Sequence, residues 1–445
     1  GRRELATSAR ITNGVSVDGV VRVVNDAVIS ERLLADASAG FDRETVAFFE
    51  AWERALGPVD DPLSLPGRVG TFSAALIEAA ARPDSQARLS GVLNAAEGVV
   101  EGFRRASDEI QTIREAADAQ IARDVQRLNT GIQNINDINT AILRSQSAGL
   151  DPSALLDQRQ QAIDAISNIV PIKTLPRDNG TIALFTLSGA VLLDTTPAVI
   201  GFEPRGVITP DMSVQSGALS GLTINGFEVA TSGANAPLSG GSLAANFAVR
   251  DDLAVTAQSR LDAVARDLIE RFQDPAVDPT LAAADAGLFT DGGLAFDPIN
   301  EAGLARRLEI NALADPANGG ELWRLRDGLG ATAQGPVGDN SILSSLGDAL
   351  EALRVPASGD VATTARSAGA LAADLVSLVA VDRLAAETQQ TYSMSRQESL
   401  RDLELAQGVD TDQELQKLLL IEQAYAANAR VMTAASEMID RLLAI

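Results

Sequence analysis

Between Pro83 and Pro152 the chain contains no proline. Proline interrupts a helix interior, so this interval is where one long helix can form. Within it, apolar residues recur at Phe103, Ala106, Ile110, Ile113, Ala117, Ile121, Val125, Leu128, Ile132, Ile135, Ile138 and Ile142. The steps alternate between three and four, with two successive fours from Ala117 to Val125. That is a heptad-like seam with one stutter. Forty residues at 1.5 Å each make a rod of roughly 60 Å. A long core helix in an ordinary bundle shares this pattern; the length favours an elongated shape.

Other segments sort around this rod. TNGVSVDGVV reads as extended, with turn dipeptides Asn13-Gly14 and Asp18-Gly19. Helical spacing runs from Asp26 to about Leu56, stopped by Gly57-Pro58, and returns near Phe72 to Ala81 and from Leu155 to Val170. The period then changes. Asn179-Gly180 and Asn225-Gly226 sit between strand-like runs and read as hairpins. Helix resumes at Ser242 as N-cap, with the seam Phe247, Ala254, Leu261, Val264, Leu268 and Phe272. Residues 274–340 read as irregular, with a short helix around Leu304 to Ile310, and helix returns at 341–354 and 361–408.

The expected fold is mainly α with a β-rich insertion: an elongated multi-domain rod of long helices from both ends of the chain. It divides into a first rod part (1–170), a β-rich outer domain (171–240) and a helix returning to the rod (241–273). Then come an irregular segment that can belong to the outer domain (274–340), the last rod part (341–411) and a C-terminal assembly helix (412–445).

Composition narrows the chemistry. Apolar residues make up 46% and aromatics only 4%, which suits packed helices. The net charge of −24 argues against nucleic acid or an anionic membrane as partner. There is no Cys and no His, which closes zinc fingers, thiol nucleophiles and imidazole bases. The most apolar stretch, residues 369–386, is interrupted by Asp374, Asp382 and Arg383 and is no membrane span. No signal peptide is read at the start.

The last segment poses a packing problem. Thr411 and Glu414 form a capping box, so a helix is expected from there to Ile445. One seam is Leu418, Ile421, Tyr425, Asn428, Met432, Ala435, Ile439 and Leu442. A second stripe is Leu420, Ala424, Ala427, Val431, Ala434 and Met438. One stripe suffices for a helix packed on one side; two imply neighbours on two sides. Five or six large side chains left in water forfeit on the order of 10 kcal/mol. The alternative is a last helix packed within the chain's own bundle.

Here the residues resemble a known family. QAYAANARVMTAASEMIDRLL (423–443) resembles the C-terminal helix shared by axial proteins of the bacterial flagellum. LLDQRQQAIDAISNIV (155–170), GVSVDGVVRVVNDAVISERL (14–33) and SLAANFAVRDDLAVTAQSRLDAVARDLIERF (242–272) resemble, in order, segments of the flagellar hook-associated protein 1 family. That family begins with a further helix ending in a motif like NTxGYxR, and GRREL looks like its tail, so the pairing helix is expected to precede this chain.

The resemblance implies a non-enzymatic structural subunit, without cofactors or metals, that self-associates in a ring-like layer between hook and filament. It implies contact with hook protein and the second junction protein, and a cytoplasmic chaperone on the C-terminal helix. It implies export by the flagellar type III apparatus without a cleaved signal, to an extracellular location. Alternatives are flagellin, the second junction protein, a secreted hydrolase using two carboxylates, or a coiled-coil adaptor.

Other candidates have plainer readings. Asp151, Asp157 and Arg159 suggest local helix pairs. Asp285, Asp291 and Asp297 lack the spacing of a calcium loop. Gly98 and Gly102 carry little meaning outside a membrane. Asp251 and Asp252 read as a solvated helical surface, and Trp52 and Trp323 as packing residues.

Overall fold

The computed structural model describes residues 2–10, 14–23, 25–233, 236–406 and 411–443, with side chains outside 2–23, 411–418 and 440–443. Strands β1 (Arg2–Arg10) and β2 (Gly14–Val23) form an antiparallel pair. The register shifts so that Ala6 faces Gly19 and Thr7 faces Val17. Asp18-Gly19 therefore lies at a bulge inside β2 rather than at a turn. Asn13 of the other expected turn lies outside the described residues.

Helix α1 (Asp26–Leu56) begins where Asn25 Oδ1 accepts from the amides of Ala27 and Val28, and stops at Gly57 with φ 74°. Helix α2 (Leu65–Ala81) starts earlier than its apolar spacing indicates. Ser64 Oγ accepts from Gly67 N at 3.2 Å, and Pro66 fits the first turn. Helix α3 (Gln86–Ser147) is one unbroken run of 62 residues, about 93 Å long at 1.5 Å per residue. Its predicted seam is buried, with Ile113 and Ile138 half-buried. Helix α4 (Ser153–Ser167) lies against it so closely that a Cβ on Gly131 would stand 2.4 Å from Ile166 Cγ2.

The insertion holds two three-stranded antiparallel sheets. One is β3 (Ile172–Pro176), β4 (Ile182–Thr186) and β5 (Val191–Leu193); the other is β6 (Ile200–Gly201), β7 (Leu222–Ile224) and β8 (Phe227–Val229). Between β7 and β8, Asn225 and Gly226 take φ of 53° and 85°, the two left-handed residues of a type I′ turn.

Helix α5 (Gly241–Ala248) is continued by a π turn over Val249–Leu253 and then by α6 (Ala254–Phe272). Ser242 is not the N-cap. Gly240 holds that position, and Ser242 Oγ instead donates to the buried Asp124 Oδ2 at 2.7 Å. The seam from Phe247 to Phe272 is buried as expected.

The stretch that reads as irregular contains an antiparallel pair, β9 (Phe289–Asp291) with β10 (Leu308–Ile310), and two single-turn helices, α7 (Leu304–Arg307) and α8 (Arg324–Asp327). Helix therefore ends at Arg307, and the next three residues are strand. Asp274, Asp278, Asp297 and Asp315 each accept from the amide two residues on, which accounts for the Asp-rich composition. Helices α9 (Ser341–Glu351), α10 (Ala368–Ala406) and α11 (Thr411–Leu443) complete the chain.

Two apolar cores lie along α3. The first gathers Trp52, Phe72, Phe103, Leu261, Phe272, Phe289, Leu308, Leu346 and Leu375. Three of its rings meet at 5.1–5.8 Å between centroids. The second gathers Leu33, Ile121, Leu128, Ile132, Ile163, Ile172, Leu184, Leu222 and Phe247. The division falls between Ala117 and Ile121, at the stutter of the seam. A belt of buried polar groups occupies it. Arg250 donates to Asp118 at 2.6 Å, both fully buried, and its guanidinium lies 4.9 Å from the Phe247 ring centroid. Arg114 donates to the carbonyls of Arg250, Thr209 and Met212, tying the β6–β7 loop to the rod.

Candidate assembly interface

Helix α10 changes character along its length. Leu371, Ala372, Leu375, Val376 and Val379 are buried in the first core. Among residues 380–406 only Ser393 is buried. Val381, Leu384, Tyr392 and Leu403 are exposed. With Thr388, Ser395 and Ser399 they fall at steps of three and four, so they share one face. The sequence reading missed this stripe because its middle positions are hydroxyl residues and its apolar signal is interrupted.

Helix α11 is the extreme case. Of the side chains described, 419–439, none is buried; Ile421 and Ala424 are half-buried. Leu420, Tyr425, Val431, Met432, Met438 and Ile439 are all more than half exposed, Tyr425 at 78%. Ala427, Asn428 and Ala435 are exposed as well. Leu418 and Leu442 lie on the helix, and their side chains are outside the described set. The helix spacing brings Ile421, Tyr425, Asn428, Met432, Ala435 and Ile439 onto one face and Leu420, Ala424, Ala427, Val431 and Met438 onto the adjoining one. Small residues at 424, 427 and 435 leave room for another backbone to approach closely.

The acidic residues have local structural employment. Asp151 Oδ1 accepts from Ser153 N and Oγ at the start of α4, and Arg159 donates to Asn139 and to the Gly180 carbonyl. Asp285 accepts from Ala282 N, Asp291 pairs with Arg307, and Asp297 caps a short 3-10 turn. Asp251 pairs with Arg250, which corrects its reading as solvated; Asp252 is exposed. The Gly98 carbonyl accepts from Arg68 at 2.7 Å. Trp52 is buried in the first core, while Trp323 lies under the Arg324 guanidinium. Asp262 accepts from Gly303 N, Ala305 N and Gln258. Burial outweighs these bonds and pushes its carboxyl up to about 6.

Among the described residues no group of three or more acids could hold a metal ion, and no helix is long and apolar enough to cross a membrane.

Comparison with known proteins agrees with the segment likenesses. Residues 50–275, half of the chain, match the family profile described as flagellar hook-associated protein FlgK helical domain. Residues 406–445 match the flagellar basal body rod FlgEFG protein C-terminal profile. The flagellar hook-associated protein 1 of Bacillus subtilis is 22% identical over 98% of this chain and 87% of its own length. That of Escherichia coli is 23% identical over 99% and 91%. A solved flagellar hook junction protein FlgK from Burkholderia pseudomallei aligns with a TM-score of 0.49 at 17% identity, over 59% of this chain and 47% of its own. With the helical domain matched across half its length, the chain belongs to the FlgK family of flagellar hook-associated proteins.

Proposed function

We propose that the chain is a structural subunit at the junction between flagellar hook and filament, and that it assembles by burying α11 between neighbours. The exposure of both α11 stripes carries this reading. Six large side chains held in water forfeit on the order of 10 kcal/mol, comparable to the net stability of a domain. A ring-like layer of copies removes that surface from water, one head-to-tail contact repeating around it with a rotation that closes. The neighbours on either side are hook protein and the second junction protein. Before assembly a cytoplasmic chaperone covers α11, and export proceeds through the flagellar type III apparatus to the cell exterior. Membership of the FlgK family and the match of residues 406–445 to a profile of other axial proteins support these partners.

Deletion of residues 412–445 tests the proposal. The expected product is a folded monomer with an unchanged melting temperature that fails to enter the hook–filament junction. Normal incorporation of the truncated chain overturns it.

A further inference from the structure

Helices α1 and α10 run antiparallel: Glu53 meets Arg383, and Glu31 meets Arg396. Their contact is built from two materials. Up to Val379 it is apolar and continuous with the first core. Beyond, it is polar. Arg383 pairs with Glu53 at 2.5 Å, Arg396 with Glu31 at 2.7 Å, and Gln397 donates to Asp36 at 2.7 Å. At the far end stands Arg32, itself buried. Its guanidinium reaches Glu404 of α10 at 2.5 Å, Asp36 of α1 at 2.7 Å and Asp164 of α4 at 2.5 Å. One cation thus holds three carboxylates from three helices.

These materials respond differently to conditions. Apolar burial does not depend on ionic strength in this range, whereas exposed ion pairs are weak and screened by salt. Removing Arg32 from this partly buried cluster leaves the like charges of Asp36, Asp164 and Glu404 facing one another. We propose that residues 384–406 of α10 dock conditionally on α1, with Arg32 as the lock, while residues 368–379 stay fixed in the core. Release of the lock frees the lower part of α10, and with it the approach to α11, without unfolding either core. The inference concerns the isolated chain and stands independently of the junction reading.

Hydrogen exchange on the full chain tests it. At about 50 mM NaCl, amides of 384–406 are expected to exchange at least about tenfold faster than those of 371–379. Raising NaCl to about 500 mM should widen that ratio several-fold, with 371–379 unchanged. Arg32→Met should accelerate 394–406 by about tenfold, again sparing 371–379. Glu404→Gln leaves the α1–α4 contacts intact and should produce a smaller acceleration confined to the same segment. Equal exchange in both parts of α10 at both salt concentrations overturns the proposal. So does uniform acceleration of the whole chain by both variants.

Discussion

In α3 the seam from Phe103 to Ile142 is buried except at half-buried Ile113 and Ile138; in α11 the seam from Ile421 to Ile439 is exposed except at half-buried Ile421. Both follow the same three-four spacing, although the α11 seam includes Asn428 and Tyr425 where that of α3 is apolar throughout. The difference lies in what the chain supplies around them. Around α3 it supplies α2, α4, α6 and two small sheets. A seam therefore states that a helix needs partners and not where they come from.

The comparison breaks most readily at the belt between the two cores. Arg250→Met leaves Asp118 buried with its charge unpaired, which costs about 3–5 kcal/mol. A denaturation midpoint lowered accordingly is expected, and a loss below about 1 kcal/mol would show that the pair is not buried in solution. Next in size is a pH effect. Asp262 has a folded pKa near 6 against an ordinary 3.8. The native state therefore holds this proton more tightly than the unfolded chain does. The associated stabilisation is complete below 3.8 and is lost as pH rises through 6, on the order of 2–3 kcal/mol. Comparing stability against pH for the protein and for Asp262→Asn isolates it; equal slopes would remove the argument.

The smallest expected effect is the most telling. Leu420→Asp or Met438→Asp should shift monomer stability by less than about 0.5 kcal/mol, because those side chains already face water, while impairing assembly. A large loss of monomer stability would place α11 against its own body and erase the contrast with α3.

The sequence discloses what is local. Gly57-Pro58 reads as the end of α1 because a stop acts on adjacent residues. Asn225-Gly226 marks its turn because two left-handed positions favour those residue types. It conceals what depends on distant partners. Ser242 looks like a cap, yet its hydroxyl answers Asp124 more than a hundred residues earlier. The π turn at Val249–Leu253 leaves the seven-residue spacing from Phe247 to Ala254 to Leu261 intact, so periodicity passes over it. The pair β9 and β10 is too short to show an alternating pattern. At the candidate interface, both stripes of α11 are legible as spacing. Their exposure is not, nor is the cluster of carboxylates that Arg32 collects from three helices.

Helix α3 crosses the boundary between the two cores without a break. A shaft made of two blocks joined by a loop would flex at the joint. Here a twist or bend applied at one end passes to the other through a continuous column of peptide hydrogen bonds. A chain of this build is stiff along the whole length of α3.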